Sequence, residues 1–137
     1  MQRGVNMSKI TEVLKEAKVF YVATVDGDQP RVRPFGAITD IDGVPYTCTN
    51  NTKNVYKQLM KNPKAEICGV LPDGKWVRIT CTLVRDDSDE KRRIMLEQEP
   101  GLKRMYSVGD GIFEVLRFEN VEGYIYSFTS EPQKITD

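Results

Sequence analysis

Histidine is absent from this chain of 137 residues. Its absence excludes serine–histidine–aspartate and cysteine–histidine catalysis within the chain. It also excludes histidine-ligated zinc and a haem held by a proximal histidine. If the protein is an enzyme, we therefore expect a bound cofactor to supply the reactive group.

Cysteine is sparse, with Cys48, Cys68 and Cys81 as its only occurrences. The number is odd, no two cysteines have the spacing of metal ligands, and each lies in an apolar or β-branched stretch. This pattern is typical of buried thiols in a cytoplasmic protein. We predict no metal site.

Net charge and long apolar runs are lacking as well. Lysine plus arginine equal aspartate plus glutamate, at 20 each, which argues against a dedicated nucleic-acid binder but allows a local pocket for one phosphate. No apolar run could span a membrane, and residues 1–8 lack the core of a secretory signal. We expect a cytoplasmic protein with neither a nucleic-acid nor a membrane partner, whose natural start is either Met1 or Met7.

The length suits one domain covering residues 1–137. Ser8 can cap a helix whose apolar positions recur at helical spacing up to Ala17. Beyond it, β-branched and aromatic runs alternate with Asp-Gly pairs, which favour tight hairpin turns. We predict a meander of three antiparallel strands, at residues 19–25, 31–40 and 44–49.

The second half of the chain repeats this alternation. We predict helices at 51–61 and 88–98, a short helical piece at 102–106, strands at 64–71, 75–85, 112–118 and 121–128, and a loose polar tail at 129–137. Strands joined by tight hairpins form antiparallel sheets, and closure into a barrel hides the sheet edges. The expected fold is therefore α+β and mainly β: an antiparallel barrel of six or seven strands with about three helices.

Two segments have residues suited to binding an anion. Arg31 and Arg33 are two positions apart on one strand, so they share a face, and the arginine fork matches a phosphate. Pro34 cannot donate to a ladder, which places this strand at an edge or a bulge. The alternative is a pair of exposed arginines on an outer sheet face.

The second segment, residues 47–53, is rich in hydrogen-bond donors and leads into a helix, whose first turn has free amides that attract anions. Lys53 would add a full positive charge. Alternatively, Asn51 or Thr52 only caps the helix and Lys53 is solvated.

Trp76, the single tryptophan, could form one wall of a flat aromatic site, or pack on the barrel exterior or against a partner subunit.

The order of these segments resembles the FMN-binding split-barrel family typified by pyridoxamine 5′-phosphate oxidase, and in particular its small bacterial members of the general-stress type. The resemblance covers residues 19–128. It implies that Arg33 contacts the FMN phosphate and that Tyr46 and Thr47 lie near the flavin ring and ribityl chain. Thr49 falls in the connecting stretch.

By the same resemblance, Asn51, Thr52 and Lys53 surround the phosphate. Thr52 stands where the family usually has a cation, and Arg31 could compensate for that missing positive charge. Trp76 falls beside the flavin of the partner subunit. The family builds two flavin sites across a homodimer interface, so the resemblance also implies a homodimer.

The function expected from this resemblance is that of an FMN-dependent oxidoreductase with an unknown electron donor and acceptor. The chain after Phe128 lacks the tryptophan and arginine that the oxidase uses, so pyridoxamine phosphate oxidation itself is not expected. No catalytic acid or base is assigned, although Tyr46 and Arg78 are candidates. The alternatives are a non-catalytic flavin-binding stress or sensor protein, and a deazaflavin-dependent reductase.

Overall fold

The secondary structure alternates short strands with three helices. The computed structural model describes residues 7–137, so the choice between Met1 and Met7 as the start lies outside the described residues. The elements are α1 (Lys9–Ala17), β1 (Phe20–Asp26), β2 (Gln29–Phe35), β3 (Thr39–Ile41), β4 (Val44–Asn50), α2 (Asn54–Lys61), β5 (Lys64–Val70), β6 (Trp76–Arg85), α3 (Asp89–Gln98), a 3-10 helix (Pro100–Arg104), β7 (Phe113–Tyr126) and β8 (Gln133–Lys134).

The strands form one antiparallel sheet that is rolled into a split barrel. Their order is β2-β1-β5-β6-β7-β4-β3, with β8 added to β7. β2 and β3 are thus at opposite ends of the order, yet only residues 36–38 join them. So short a link spans at most about 14 Å, whereas the edges of a flat seven-stranded sheet would lie about 29 Å apart. The sheet must therefore curl until its two ends approach each other.

A hydrogen bond holds this closing link in place. The Thr47 hydroxyl on β4 donates to the Ala37 carbonyl over 2.7 Å, and Thr47 is fully buried. The position of β2 at the end of the sheet confirms the prediction made from Pro34, because an edge strand has one side that needs no ladder donors.

Two apolar clusters form the core. The larger one fills the barrel and includes Leu14 of α1 and Leu59 of α2, so both helices pack against it. The smaller one packs α3 and the 3-10 helix against β4 and β7 on the other side of the sheet, through Met95, Tyr106 and Phe113. β4 is therefore covered on both faces, which explains why its central residues are all buried.

The predicted three-stranded meander is wrong. The predicted strand 31–40 divides at Gly36: its first part pairs with β1, and its last part becomes β3, which pairs with β4 at the other end of the sheet. The Asp42-Gly43 turn was predicted correctly, with both residues at positive φ. The local turn is encoded in the dipeptide, whereas the choice of strand partner depends on barrel closure.

The C-terminal region also differs from the prediction. The strands expected at 112–118 and 121–128 are one long strand, β7, which continues through Asn120 at a φ of 53° beside a shift in register on β6. The tail at 129–137 was expected to be loose, but β8 pairs with β7 and Ile135 packs on the barrel core. Within residues 7–137, no helix is both long and apolar enough to cross a membrane.

Candidate functional site

A cavity of about 420 Å³ opens beside the link that closes the barrel. Arg33 on β2 and Lys53 at the start of α2 contribute its positive charges, and Glu99 contributes a negative one. The walls come from the β2–β3 link, the end of β4 and the 3-10 helix, and they are mostly apolar: Phe35, Ala37, Val55, Leu102, Met105 and Tyr106. We call this space the apolar cavity.

Arg33 is held by neutral groups alone. Its Nη1 donates to the Val22 carbonyl over 3.2 Å and to the Thr24 hydroxyl over 2.7 Å, and its Nη2 donates to Gln58 Oε1 over 2.7 Å. Burial and the charge of Arg31 lower the pKa of Arg33, although a guanidinium stays protonated at neutral pH. Arg33 is thus a positioned cation whose charge no carboxylate neutralises within residues 7–137.

The N-terminus of α2 adds further positive potential at the cavity. Lys53 is the N-cap residue, and its side chain makes no capping hydrogen bond. The first amides of a helix have no partner inside the helix, and the helix dipole gives this end a partial positive charge. The exposed Lys53 ammonium lines the same cavity, so a full charge and free amides occur together.

The turn before α2 has a rigid hydrogen-bonding pattern. Asn50 Oδ1 accepts from both the backbone amide and the hydroxyl of Thr52, over 2.8 and 2.7 Å. Asn51 Nδ2 donates to Gly111 O and to Glu114 Oε2, each over 2.8 Å. The side chains of Asn51 and Thr52 therefore shape the turn that presents Lys53.

Glu114 anchors this turn to the body of the protein. It is 4% exposed, and its Oε1 accepts from Arg85 Nε over 2.8 Å and from Arg92 Nη2 over 3.1 Å. Burial opposes ionisation of Glu114, but the hydrogen bonds from Arg85 and Asn51 outweigh it and lower the pKa of the carboxyl. Glu114 is therefore an ionised carboxylate that is paired with two arginines and hydrogen-bonded to the turn.

Cys48 and Thr49 also line the apolar cavity. Burial, reinforced by the charge of Glu99, raises the pKa of the Cys48 thiol to about 12, so the thiol is protonated at neutral pH and is a poor nucleophile. The prediction of buried thiols is confirmed for Cys48 and Cys81, whereas Cys68 is only half-buried.

Neither Tyr46 nor Thr47 lines the apolar cavity. Tyr46 is 2% exposed and lies in the smaller core cluster, where its hydroxyl donates to Asp86 Oδ2 over 2.8 Å and accepts from Lys91 Nζ over 3.1 Å. Burial opposes ionisation of Asp86, but the hydrogen bonds from Tyr46 and Lys91 lower the pKa of this carboxyl. The Thr47 hydroxyl holds the link that closes the barrel, through its hydrogen bond to the Ala37 carbonyl.

Trp76 lies on the solvent-facing side of β2, β1, β5, β6 and β7, which we call the outer sheet face. It stacks on Tyr126, with ring centroids 6.0 Å apart, and packs against Phe128, with ring centroids 5.0 Å apart. Arg78 lies on the same face, 4.9 Å from the centre of the Tyr126 ring. Neither residue lines the apolar cavity, so Trp76 does not join Arg33 and Lys53 within one chain.

A second, more polar space adjoins the first and shares Arg33 with it. It lies between the β1–β2 hairpin and α2, has a volume of about 800 Å³, and is lined by Arg31, Lys57 and Lys61 besides Arg33. We call it the basic groove. Arg31 also pairs with the exposed Asp26 across the hairpin, over 3.1 Å.

The structure thus brings Arg33, Thr49 and Lys53 to one cavity and places Arg31 in the neighbouring groove. This arrangement can hold an anion at the junction, next to an apolar body of moderate size. Among residues 7–137, no group of three or more histidine, cysteine, aspartate or glutamate side chains could hold a metal ion.

Sequence reasoning missed two parts of the site. Gln58 orients Arg33 from α2, and the 3-10 helix supplies one apolar wall through Leu102 and Met105. The helical spacing of Val55 and Leu59 places Gln58 beside the buried face, but no sequence signal pairs it with β2. The wall could not be foreseen because it depends on how α3 packs on the sheet.

Comparisons with known proteins relate the whole barrel to one family. The family model described as pyridoxamine 5′-phosphate oxidase matches residues 7–125. None of the curated proteins matches the chain significantly.

Solved structures share this fold. The crystal structure of a nimc/nima family protein from Clostridium acetobutylicum is 50% identical, with a TM-score of 0.90 over 93% of this chain and 89% of that one. A protein related to general stress protein 26, from the same organism, is 15% identical, with a TM-score of 0.73 over 93% and 92% of the two chains. A fad-binding protein from Mesorhizobium loti is 16% identical, with a TM-score of 0.61 over 91% and 98%. The last two similarities concern the fold alone.

The hydrogen bonds of Glu114 with Arg85, Arg92 and Asn51 should contribute to the stability of the folded protein. We expect Glu114→Gln to lower the free energy of unfolding at pH 7 by about 3 kcal/mol, because two arginines lose their buried counter-charge. The pKa of Glu114 is depressed in the folded protein, so the contribution is present above the ordinary value of 4.5 and is lost as the pH falls through the folded-state pKa. Urea unfolding at pH 7 and in acid should show the difference between the two proteins shrinking in acid.

The matched control is Glu122→Gln, because Glu122 is exposed and has only a long contact of 3.9 Å with Lys134. This change should alter stability very little. Equal destabilisation by the two changes would contradict a special role for Glu114.

Proposed function

The chain belongs to the pyridoxamine 5′-phosphate oxidase family, and on that premise we propose that it is an FMN-binding flavoprotein that acts as an oxidoreductase. One observation carries the proposal: Arg33 and Lys53 line the same apolar cavity, and neither has a carboxylate within 4 Å among residues 7–137. A phosphate attached to an apolar ring system has the chemistry that such a pair and such a cavity would bind.

The phosphate is assigned to the junction of Arg33 and the start of α2. Arg33 already uses three hydrogen bonds to neutral atoms, which keep its guanidinium in place without neutralising it. Lys53 and the free amides of α2 would supply further charge-assisted hydrogen bonds. Thr52 stands where the family pattern has a cation, and its hydroxyl already donates to Asn50 Oδ1. The positive charge here therefore rests on Arg33 and Lys53, with Arg31 in the neighbouring groove.

The apolar walls are assigned to the flavin ring. Phe35, Leu102, Met105 and Tyr106 offer apolar and aromatic surface, and the cavity volume of about 420 Å³ falls within the range of small-molecule sites. When bound, the flavin would supply the redox chemistry. The chain's own contribution is to hold the phosphate, orient the ring and exclude water from it.

No protein nucleophile is part of the proposal. The only thiol that lines the apolar cavity, Cys48, is held protonated, and the chain has no histidine. Pyridoxamine phosphate oxidation is not part of the proposal. We propose instead that electrons pass through the flavin to another acceptor.

We also propose that the protein is a homodimer, formed through the outer sheet face. This face has a patch of apolar and aromatic side chains that a monomer would leave in water: Tyr21, Val32, Val70, Trp76, Tyr126 and Phe128. Val32 is 67% exposed and Phe128 is 93% exposed. Exposed apolar patches of this kind mark contact surfaces. Pro34, next to Arg33, lines the apolar cavity from the same strand, so a partner on this face would approach the proposed flavin site.

The phosphate assignment is tested by comparing FMN with riboflavin. The purified protein should bind FMN with a flavin absorbance spectrum, and Lys53→Ala and Arg33→Lys should each weaken FMN about tenfold to a hundredfold. Riboflavin affinity should change little, because riboflavin lacks the phosphate. Arg93→Ala is the control, since Arg93 is exposed on α3. Equal losses for both ligands would contradict the assignment, and a protein that takes up no flavin would refute the proposed cofactor.

The oxidoreductase assignment is tested by anaerobic reduction. Addition of NADH or NADPH to the FMN-loaded protein should bleach the flavin absorbance, and an added acceptor should restore it. Free FMN at the same concentration is the control. A flavin that stays oxidised with both donors but is reduced by dithionite would favour a non-catalytic carrier.

The dimer is tested by Tyr21→Glu, which places a charge in the apolar patch. Analytical ultracentrifugation should show a dimer for the wild type and a monomer for the variant, with weaker FMN binding in the monomer. Val108→Glu is the control, because Val108 is exposed in a loop outside the outer sheet face. A wild-type protein that sediments as a monomer and still binds FMN tightly would contradict the proposed interface.

A further inference from the structure

The basic groove concentrates positive charge in a chain whose net charge is zero. Four cations line it, namely Arg31, Arg33, Lys57 and Lys61, against the single carboxylate of Asp26. Only Arg31 pairs with that carboxylate; the other three have no carboxylate within 4 Å among residues 7–137. Like charges brought together in this way repel each other, and a bound anion would relieve the repulsion.

The arrangement follows from the packing of α2. Val55 and Leu59 face the barrel core, so Asn54, Lys57 and Lys61, at helical spacing along a neighbouring face, border the groove. Gln58, which lies between them, is the residue that holds Arg33. One helix therefore positions the shared arginine and lines the groove with two lysines.

Arg33 lines both the basic groove and the apolar cavity. A phosphate held by Arg33 and Lys53 would thus stand where the two spaces meet, with the apolar cavity on one side and the groove on the other. A group attached to that phosphate, on the side away from an apolar ring, would enter the groove. The amides of Asn54, Gln58 and Asn62 would offer polar contacts to it.

We propose that the basic groove binds a second nucleotide phosphate and its nucleoside, so that the protein holds the whole of FAD, with the adenylate half in the groove. This inference rests on the proposed flavin site, since the FMN half of the dinucleotide occupies that site. The second phosphate lies among Arg31, Lys57 and Lys61, and it provides the counter-charge that the folded chain lacks there.

The double variant Lys57→Gln/Lys61→Gln tests the inference, because it removes two groove charges and leaves Arg33 and Lys53 intact. Equilibrium titration should show that the wild type binds FAD more tightly than FMN. The double variant should weaken FAD about fivefold to tenfold and change FMN less than about twofold. The control is Lys75→Gln/Arg93→Gln, which alters the net charge equally at two exposed positions outside the groove and should preserve the preference for FAD.

The outcomes separate this inference from the proposed function. If the wild type binds FMN as tightly as FAD, or if the double variant weakens both flavins equally, the adenylate site is refuted and the FMN site stands. If neither flavin binds, the proposed function fails, and a titration with ADP decides the groove. ADP binding that the double variant abolishes would support a nucleotide phosphate site, and no ADP binding would refute it.

Discussion

Closure of the barrel is the constraint on which the rest of the structure depends. Three residues connect strands at opposite ends of the sheet, and the hydrogen bond from Thr47 to Ala37 holds that connection against β4. The same connection forms one wall of the apolar cavity. The geometry that completes the fold therefore also creates the space in which we place the cofactor, and the strand before the connection brings Arg33 to its edge.

Arg33 shows how a charge can be held ready for a ligand. Its hydrogen-bond acceptors are a carbonyl, a hydroxyl and an amide, which position the guanidinium but do not neutralise it. Arg92, in contrast, is paired with Glu114 and two aspartates, and its role is to anchor α3 to the sheet. The difference between the two arginines is the presence of a carboxylate, and it separates a candidate binding residue from a structural one.

Much of the fold was predictable because its signals are local. Ser8 and Ser88 cap helices as expected, and the Asp42-Gly43 turn forms where the dipeptide predicts it. The division of the strand at Gly36 was not predicted, because residues 31–35 and 39–41 are each suited to a strand and only their distant partners separate them. The tail was misjudged for the same reason: its polar composition hides the contact of Ile135 with the core.

The sequence by itself determined the element types, the antiparallel character of the sheet and the choice of Arg33 and Lys53 as candidate phosphate ligands. Turn dipeptides, side-chain periodicity and the chemistry of single residues act over a few positions, so they can be seen in the linear chain. Only the tertiary structure decided that Tyr46 faces the smaller core, that Trp76 lies on the outer sheet face, and that Arg33 joins two spaces. Those outcomes depend on which strands meet when the barrel closes, and that pairing is set by packing between residues far apart in the chain.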